Sequence, residues 1–185
     1  MPLLALETDL YPADLLDREA AVPGRAWWVL YTMSRREKEL MRRLLGAGIG
    51  FYGPLVKHRK RSPEGRVRSS YLPLFAGYVF LHGDDDERRA ALATNCVSRC
   101  LAVSDSDELV RDLKQVRRLI EANVPLTPEA RLEAGQRIRV CSGSLAGLEG
   151  TVIKRHGQQR LLVAVEFLQQ GASVQIEDCG VERID

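Results

Sequence analysis

The stretch NVPLTPEAR, residues 123–131, most constrains how this chain can fold. It contains two prolines, and each proline lacks the backbone N–H that a helix interior or a central strand requires. A continuous helix or strand through this stretch is therefore excluded, and its composition is typical of a linker. The linker separates residues 25–122 from residues 132–185, so we predict two small domains behind an N-terminal extension, residues 1–24.

Residues 25–122 alternate between strand-like and helix-like segments. The run WWVLYTM, residues 27–33, is rich in aromatic and branched side chains, which favours a buried strand. Ser34 and Glu37 follow in the spacing of a capping box, which predicts a helix that ends at Gly46. Further strands are predicted at 49–56, 75–82 and 99–103, with a short helix after one of the aspartates 84–86 and a longer one after Ser104 or Ser106. Antiparallel strands interleaved with helices indicate an α+β domain.

Residues 132–185 have a different pattern, in which short strands are separated by glycine turns. The strand-like runs are RIRVC, TVIKR, LLVAVEF, SVQI and VERI. Four or five such strands within about fifty residues are typical of a small barrel.

Charge is unevenly distributed, although the net charge is only +2. The extension carries five acidic residues against one arginine, whereas KHRKRSPEGRVR, residues 57–68, carries six basic residues against one acidic residue. The SPEG sequence predicts a turn, so the basic residues would lie on two arms of a hairpin. Such a hairpin either attracts phosphate backbones or is simply a solvated loop. The acidic extension either packs on this hairpin as a shield or is disordered.

Several functions are not indicated by the sequence. No apolar run approaches the roughly 20 residues of a membrane helix, and the opening segment lacks the pattern of a secretory signal, so we expect a cytoplasmic protein without a membrane partner. The three histidines lie far apart, and no glycine-rich phosphate loop is present, so we expect neither an enzyme nor a cofactor. We expect free, buried or half-buried thiols and no metal site at Cys96, Cys100, Cys141 and Cys179.

Three motifs, in this order, resemble the NusG family of transcription elongation factors. They are WWVLYTMSRREKELMRRLL, LFAGYVFL and GQRIRVCSGSLAGLEGTV, and the resemblance covers roughly residues 26–185. It implies a NusG-type N-terminal domain, an antiparallel sheet flanked by helices, followed by a small SH3-like β-barrel, the KOW domain. The basic hairpin and the short connections are more similar to the specialised RfaH-like antiterminators than to the housekeeping member.

The resemblance implies that an aromatic patch docks on the clamp helices of the large RNA polymerase subunit. The matching positions are Trp27, Val29, Tyr31, Phe75, Tyr78 and Phe80. Strand alternation divides them between two faces, which favours Tyr31, Phe75 and Tyr78 as the contacts. The protein would act as a monomer and suppress pausing and termination, although the sign of the effect on termination stays open.

A protein seated on polymerase lies near the non-template DNA strand and the nascent RNA. Candidate contacts to either nucleic acid are Lys57, His58, Arg59, Lys60, Arg61, Arg66, Arg68 and Tyr71. In the KOW domain the motif positions are Val140, Gly143, Gly147 and Gly150, with Gly147 and Gly150 at turns. This domain would bind a second partner, either a ribosomal protein or termination factor Rho. The family's Gly-Arg dipeptide is missing from LQQGASVQIEDC, so the identity of this partner stays open. The alternative is a KOW-containing RNA-binding module without polymerase docking, in which the aromatic side chains would be buried.

Overall fold

The computed structural model describes residues 6–177 and 179–185. The first five residues of the acidic extension therefore lie outside the described residues. The chain divides into two compact units after Ser106. This division precedes the predicted linker because the helix that begins at Ser106 groups with the strands that follow it.

The N-terminal unit is built on a five-stranded antiparallel sheet in the order β1-β3-β6-β2-β7. A separate two-stranded ribbon is formed by β4 and β5. The elements are β1 (Leu10–Tyr11), a 3-10 turn (Leu15–Asp17), β2 (Ala26–Thr32), α1 (Glu37–Gly46), β3 (Gly50–Tyr52), β4 (Leu55–Arg61), β5 (Val67–Pro73), β6 (Tyr78–Gly83), α2 (Asp85–Leu92) and β7 (Val97–Ala102). The mixed α and β content and the antiparallel sheet confirm the prediction for this part of the chain.

One face of this sheet packs against α1 and α2. The cluster includes Leu30 of β2, Val79 and Leu81 of β6, and Leu40 and Met41 of α1, all with almost no exposed surface. Full burial of such a side chain contributes about 1.5–3 kcal/mol. The central strands β2 and β6 are thereby held in one register, with Tyr31 opposite Tyr78 and Trp27 opposite His82.

The predicted capping box at Ser34 does not form. Helix α1 begins at Glu37 itself, with Arg36 as its N-cap and without a side-chain capping bond. A glutamate at the first helical position cannot reach back as one at the third position does. The Glu37 carboxylate instead accepts a hydrogen bond from the Gly77 N–H at 2.7 Å. A complete capping box occurs instead at α2, between Asp84 and Glu87, and Asp84 is one of the three aspartates predicted to begin this helix.

The strand predicted at 75–82 begins three residues later, at Tyr78. Gly77 has a φ of +85°, and the Tyr78 N–H donates to the Phe75 carbonyl at 3.1 Å. These features form a turn that sets Phe75 apart from the strand. Because Phe75 lies outside β6, strand alternation does not determine which face it shares with Tyr78 or Phe80.

The C-terminal unit contains the longest helix and a six-stranded antiparallel sheet in the order β13-β9-β10-β11-β12-β8. The elements are α3 (Ser106–Glu121), β8 (Thr127–Glu129), β9 (Arg137–Val140), β10 (Glu149–Arg155), β11 (Gln158–Val165), a 3-10 turn (Glu166–Leu168), β12 (Gln170–Gln175) and β13 (Val181–Arg183). Among residues 107–177 and 179–185, no ladder joins β13 to β8. The predicted closed barrel is therefore not confirmed.

Part of the predicted linker is a strand. Residues Thr127–Glu129 form β8, which pairs with β12 so that Pro128 lies opposite Ala172. An edge strand tolerates proline because one side of its backbone has no ladder partner to satisfy. The strand is anchored by Glu129, which accepts hydrogen bonds from the Ser173 hydroxyl at 2.6 Å and from Arg155 at 3.0 Å.

Helix α3 is joined to the C-terminal sheet by polar contacts. Arg118 donates to the carbonyls of Ala146 at 2.8 Å and Gly147 at 3.1 Å. The Asp112 carboxylate accepts a hydrogen bond from the Glu166 N–H at 2.9 Å. These contacts explain why the helix belongs to the C-terminal unit.

Candidate functional site

Two of the six predicted polymerase contacts reach the surface together. Tyr31 of β2 and Tyr78 of β6 are directly opposite each other in the sheet, and their ring centroids are 5.2 Å apart. Tyr31 is 41% exposed, and Tyr78 is half-buried. We call these two residues the tyrosine pair.

The other four predicted contacts lie inside the protein. Trp27, Val29, Phe75 and Phe80 each have 1% or less of their surface exposed. Trp27 packs on the His82 ring, with centroids 5.1 Å apart, and Phe75 meets Phe80 edge to face at 6.4 Å. The prediction that Phe75 is an exposed contact is corrected by this burial.

Two residues beside the tyrosine pair, Arg99 and Leu101, were not among the predicted contacts. Strand β7 pairs with β2 so that Arg99 lies opposite Tyr31 and Leu101 lies opposite Val29. Residues that are directly opposite in a ladder share a face of the sheet, so Arg99 and Leu101 lie on the face of the tyrosine pair. Leu101 is 41% exposed. The predicted strand at 99–103 contained this signal, because alternate residues of a strand share one face.

The basic segment forms the predicted hairpin. The Gly65 N–H donates to the Ser62 carbonyl at 2.9 Å and closes the turn between β4 and β5. In the ladder, Lys57 lies opposite Tyr71 and Lys60 lies opposite Arg68. Seven of the eight predicted nucleic-acid contacts are exposed: Lys57, His58, Arg59, Lys60, Arg61, Arg66 and Arg68. We call this group the basic hairpin.

Tyr71 differs from the rest of the predicted set. Its side chain is half-buried and packs against the apolar cluster of the N-terminal unit. It therefore anchors the base of the hairpin. His58 is the exposed ring of the set that is free to stack on a base.

The charges of the basic hairpin are not neutralised by the described part of the chain. None of its lysines or arginines forms an ion pair with a described carboxylate, whereas Arg25 pairs with Glu87 at 2.8 Å and Arg139 with Glu149 at 2.6 Å. Lys60 and Arg68 even face each other across the ladder, and like charges in that position are destabilising. This concentration of free positive charge creates an attractive potential for an anionic partner.

The described part of the acidic extension, residues 6–24, does not supply the shield that is one of its two predicted alternatives. Glu7 binds Arg42 at 2.8 Å and lies 3.9 Å from Lys38, both on α1. Asp14 pairs with Arg18 at 2.9 Å. The described extension also contributes strand β1, which pairs with β3, so this part of it is folded.

The four predicted KOW positions lie in the C-terminal unit. Val140 is fully buried, and its carbonyl accepts a hydrogen bond from the Gly147 N–H at 2.7 Å. Gly147 occupies the predicted turn with a φ of +83°, as does Gly143. Gly150 lies within β10 instead of a turn, and a Cβ there would come 2.3 Å from the Leu162 carbonyl oxygen. Glycine is needed at position 150 because the Leu162 backbone approaches too closely to leave room for a Cβ, and not because of its dihedral angle.

The thiols and possible metal ligands of the described residues do not form a further site. All four cysteines are free, and Cys141 is exposed, contrary to the expected burial, whereas Cys96 is buried. Burial raises the pKa of the Cys100 thiol, with a smaller opposing effect of Arg88. Within residues 6–177 and 179–185, no cluster of three or more ligating side chains could hold a metal ion. No helix in the same residues is long and apolar enough to cross a bilayer.

Comparison with known families gives the class of protein. Residues 25–131 match the model of the NusG family, described as transcription termination factor nusG. Because the match spans more than half of the 185 residues, the chain belongs to the NusG family. Members of this family are RNA polymerase-binding transcription factors that regulate elongation and termination, and they are not enzymes. A search against curated individual proteins finds no match.

Proposed function

We propose that this protein is a specialised, RfaH-like elongation and antitermination factor that docks on the clamp helices of RNA polymerase. The family match over residues 25–131 carries the polymerase-binding part of the proposal, and the exposed basic hairpin supports the specialised, RfaH-like part. That segment contains both the tyrosine pair and the basic hairpin. Docked across the polymerase channel, the protein would suppress pausing and termination.

The tyrosine pair and Leu101 form the proposed docking surface. Tyr31 and Tyr78 present two adjacent rings, and Leu101 adds an exposed aliphatic group on the same face. Aromatic anchors in a desolvated patch often contribute about 2 kcal/mol or more each when truncated. The exposed guanidinium of Arg99, opposite Tyr31, would meet acidic residues at the rim of such an interface.

The basic hairpin is the proposed nucleic-acid contact. Its exposed cations would hold phosphates of the non-template DNA strand or of the nascent RNA, and His58 would stack on a base. Contacts to phosphates provide affinity and positioning but not sequence choice. The C-terminal unit would act as a KOW module for a second partner, either a ribosomal protein or Rho, and the whole would work as a monomer.

Burial of Trp27, Val29, Phe75 and Phe80 favours a second candidate function, that of an RNA-binding module without polymerase docking. In this alternative the tyrosine pair has no protein partner, and the basic hairpin alone determines binding. The two functions differ in one measurable property, the retention of the protein by core polymerase in the absence of nucleic acid.

A pull-down with purified core RNA polymerase tests the proposal. Wild type is compared with a Tyr31→Ala, Tyr78→Ala double variant and with the control Phe167→Ala, which removes an aromatic ring that is 37% exposed in the C-terminal unit. We expect polymerase to retain the wild type and the control. We expect the double variant to bind polymerase at least tenfold more weakly than the wild type. Retention of neither wild type nor control would favour the RNA-binding module. Equal retention of all three would refute the proposed docking surface.

A further inference from the structure

The N-terminal unit contains a pocket of about 310 Å³ that the proposed function does not use. One side is formed by the extension, through Tyr11, Leu15, Arg18 and Val22. The other side includes Arg25 and His82. Five of the nine lining residues precede residue 25, where the family match begins, so the pocket is formed jointly by the extension and the matched segment.

His82 is a buried polar group in the pocket wall that lacks a partner. His82 is one of the residues that line the pocket and is only 4% exposed, and its Nε2 atom is buried without a hydrogen-bond partner in the described chain. Buried polar groups in native proteins are nearly always hydrogen-bonded, so an exception calls for an explanation such as a missing ligand. Burial lowers the pKa of His82, and Arg25 and Arg18 lower it further while Glu87 opposes them. These effects favour the neutral form of the imidazole.

Both arginines of the pocket keep free donors. Arg25 uses Nη2 for Glu87 at 2.8 Å and for the His82 carbonyl at 3.4 Å. Arg18 uses Nε and Nη2 for Asp14. Because a guanidinium has five N–H donors, each arginine can still donate to a second oxyanion. The Arg18–Asp14 pair is also exposed, and exposed pairs are easily displaced.

Apolar groups complete the pocket. Leu15, Val22 and Tyr11 are among the residues that line it. We propose that this pocket binds a small molecule in which an oxyanion, either a phosphate or a carboxylate, is attached to a compact apolar group. The oxyanion lies at Arg18 and Arg25, and the bound negative charge favours protonation of His82. The proposal is independent of polymerase docking.

Titration with phenyl phosphate and with benzoate, each followed by NMR of the His82 ring protons, tests this inference. We expect saturable shifts at His82, a rise of its pKa in the bound state, and tighter binding as pH falls from 8 to 6.5. Inorganic phosphate and acetate serve as probes that lack the apolar group and should bind at least tenfold more weakly. The aromatic probe that binds more tightly identifies the oxyanion.

Two arginine variants separate the pocket from non-specific charge effects. Arg18→Gln should weaken binding of the aromatic probe at least tenfold. Arg42→Gln removes another exposed arginine, which lies on α1 and pairs with Glu7, and should leave the affinity unchanged. An absence of saturable shifts at His82, or equal affinities of wild type and Arg18→Gln, would overturn the proposal.

Discussion

Asp112 on helix α3 provides the sharpest test of the energetics of the C-terminal unit. Burial is the largest cause that raises the pKa of this carboxyl, from 3.8 to about 6. The hydrogen bond from the Glu166 N–H opposes the rise, whereas the charges of Glu108 and Glu166 add to it and Arg111 reduces it. The folded protein therefore binds a proton at a pH where the unfolded chain has already released it.

The sign and size of the effect follow from this difference. The contribution of Asp112 to the free energy of unfolding is complete below its unfolded pKa of 3.8 and is lost as pH rises through its folded pKa of about 6. Two pH units correspond to about 3 kcal/mol, and partial exposure of the side chain reduces this figure. Asp112→Asn keeps an oxygen that can accept the Glu166 N–H but carries no charge. We expect the substitution to raise the free energy of unfolding by about 1–3 kcal/mol at pH 8 and to have almost no effect at pH 3.5.

Denaturant unfolding followed by far-UV circular dichroism measures this effect. Every tryptophan and tyrosine precedes residue 107, so fluorescence reports the N-terminal unit and circular dichroism is needed for the C-terminal one. Asp107→Asn, at an exposed position of the same helix, is the matched control and should not stabilise the protein. If Asp112→Asn is no more stable than wild type at pH 8, or if its advantage does not change with pH, the reasoning is refuted.

Three further predictions concern the hairpin, a glycine and a helix contact. Neutralising three hairpin cations should make the slope of log affinity against log salt for single-stranded nucleic acid less negative by about 2. Fluorescence anisotropy measures this slope. An equal change in the control variant would contradict the prediction. The variant carries Arg59→Gln, Lys60→Gln and Arg61→Gln, and the control carries Arg36→Gln, Arg42→Gln and Arg43→Gln. Gly150→Ala should destabilise the C-terminal unit by about 3 kcal/mol or more in chemical denaturation, because its Cβ would meet a backbone oxygen at 2.3 Å; Gly157→Ala, with open space around it and only a φ of +79° to strain, should cost about 1 kcal/mol. Arg118→Ala should cost about 1 kcal/mol in the same measurement through the loss of two hydrogen bonds to carbonyls, and unchanged stability would show that these bonds contribute nothing.

Elements with strong local signals could be predicted from the sequence. The strand around Trp27, the turn at Ser62–Gly65, the helix that begins at Ser106 and the five C-terminal strand runs all have periodicity or turn residues that act over a few positions. Strand β1 has only two residues, so no periodicity exists from which to predict it. The strand at Pro128 could not be predicted, because proline fits a strand only at the edge of a sheet and sequence alone does not reveal which strands lie there.

The candidate surface was harder to predict than the fold. Composition correctly marked the hairpin as a concentration of charge, since six basic residues in one segment are visible in the sequence. Exposure of the aromatic residues depends instead on tertiary packing. Trp27 and Tyr31 lie on the same strand face, yet Trp27 is buried and Tyr31 is 41% exposed. A period of two residues cannot distinguish them.

The isolation of the β4–β5 ribbon also affects how it responds to a ligand. Its base is held by buried Leu55 and by Tyr71, but beyond them the strands pair only with each other and carry opposed like charges at Lys60 and Arg68. A two-stranded ribbon is marginally stable on its own, so we expect its outer part to open at a low free energy. A polyanion that binds only the closed ribbon removes the charge repulsion and shifts this local equilibrium by mass action. Nucleic-acid concentration would then control the protease resistance of this one segment, whose six lysines and arginines are all potential trypsin sites.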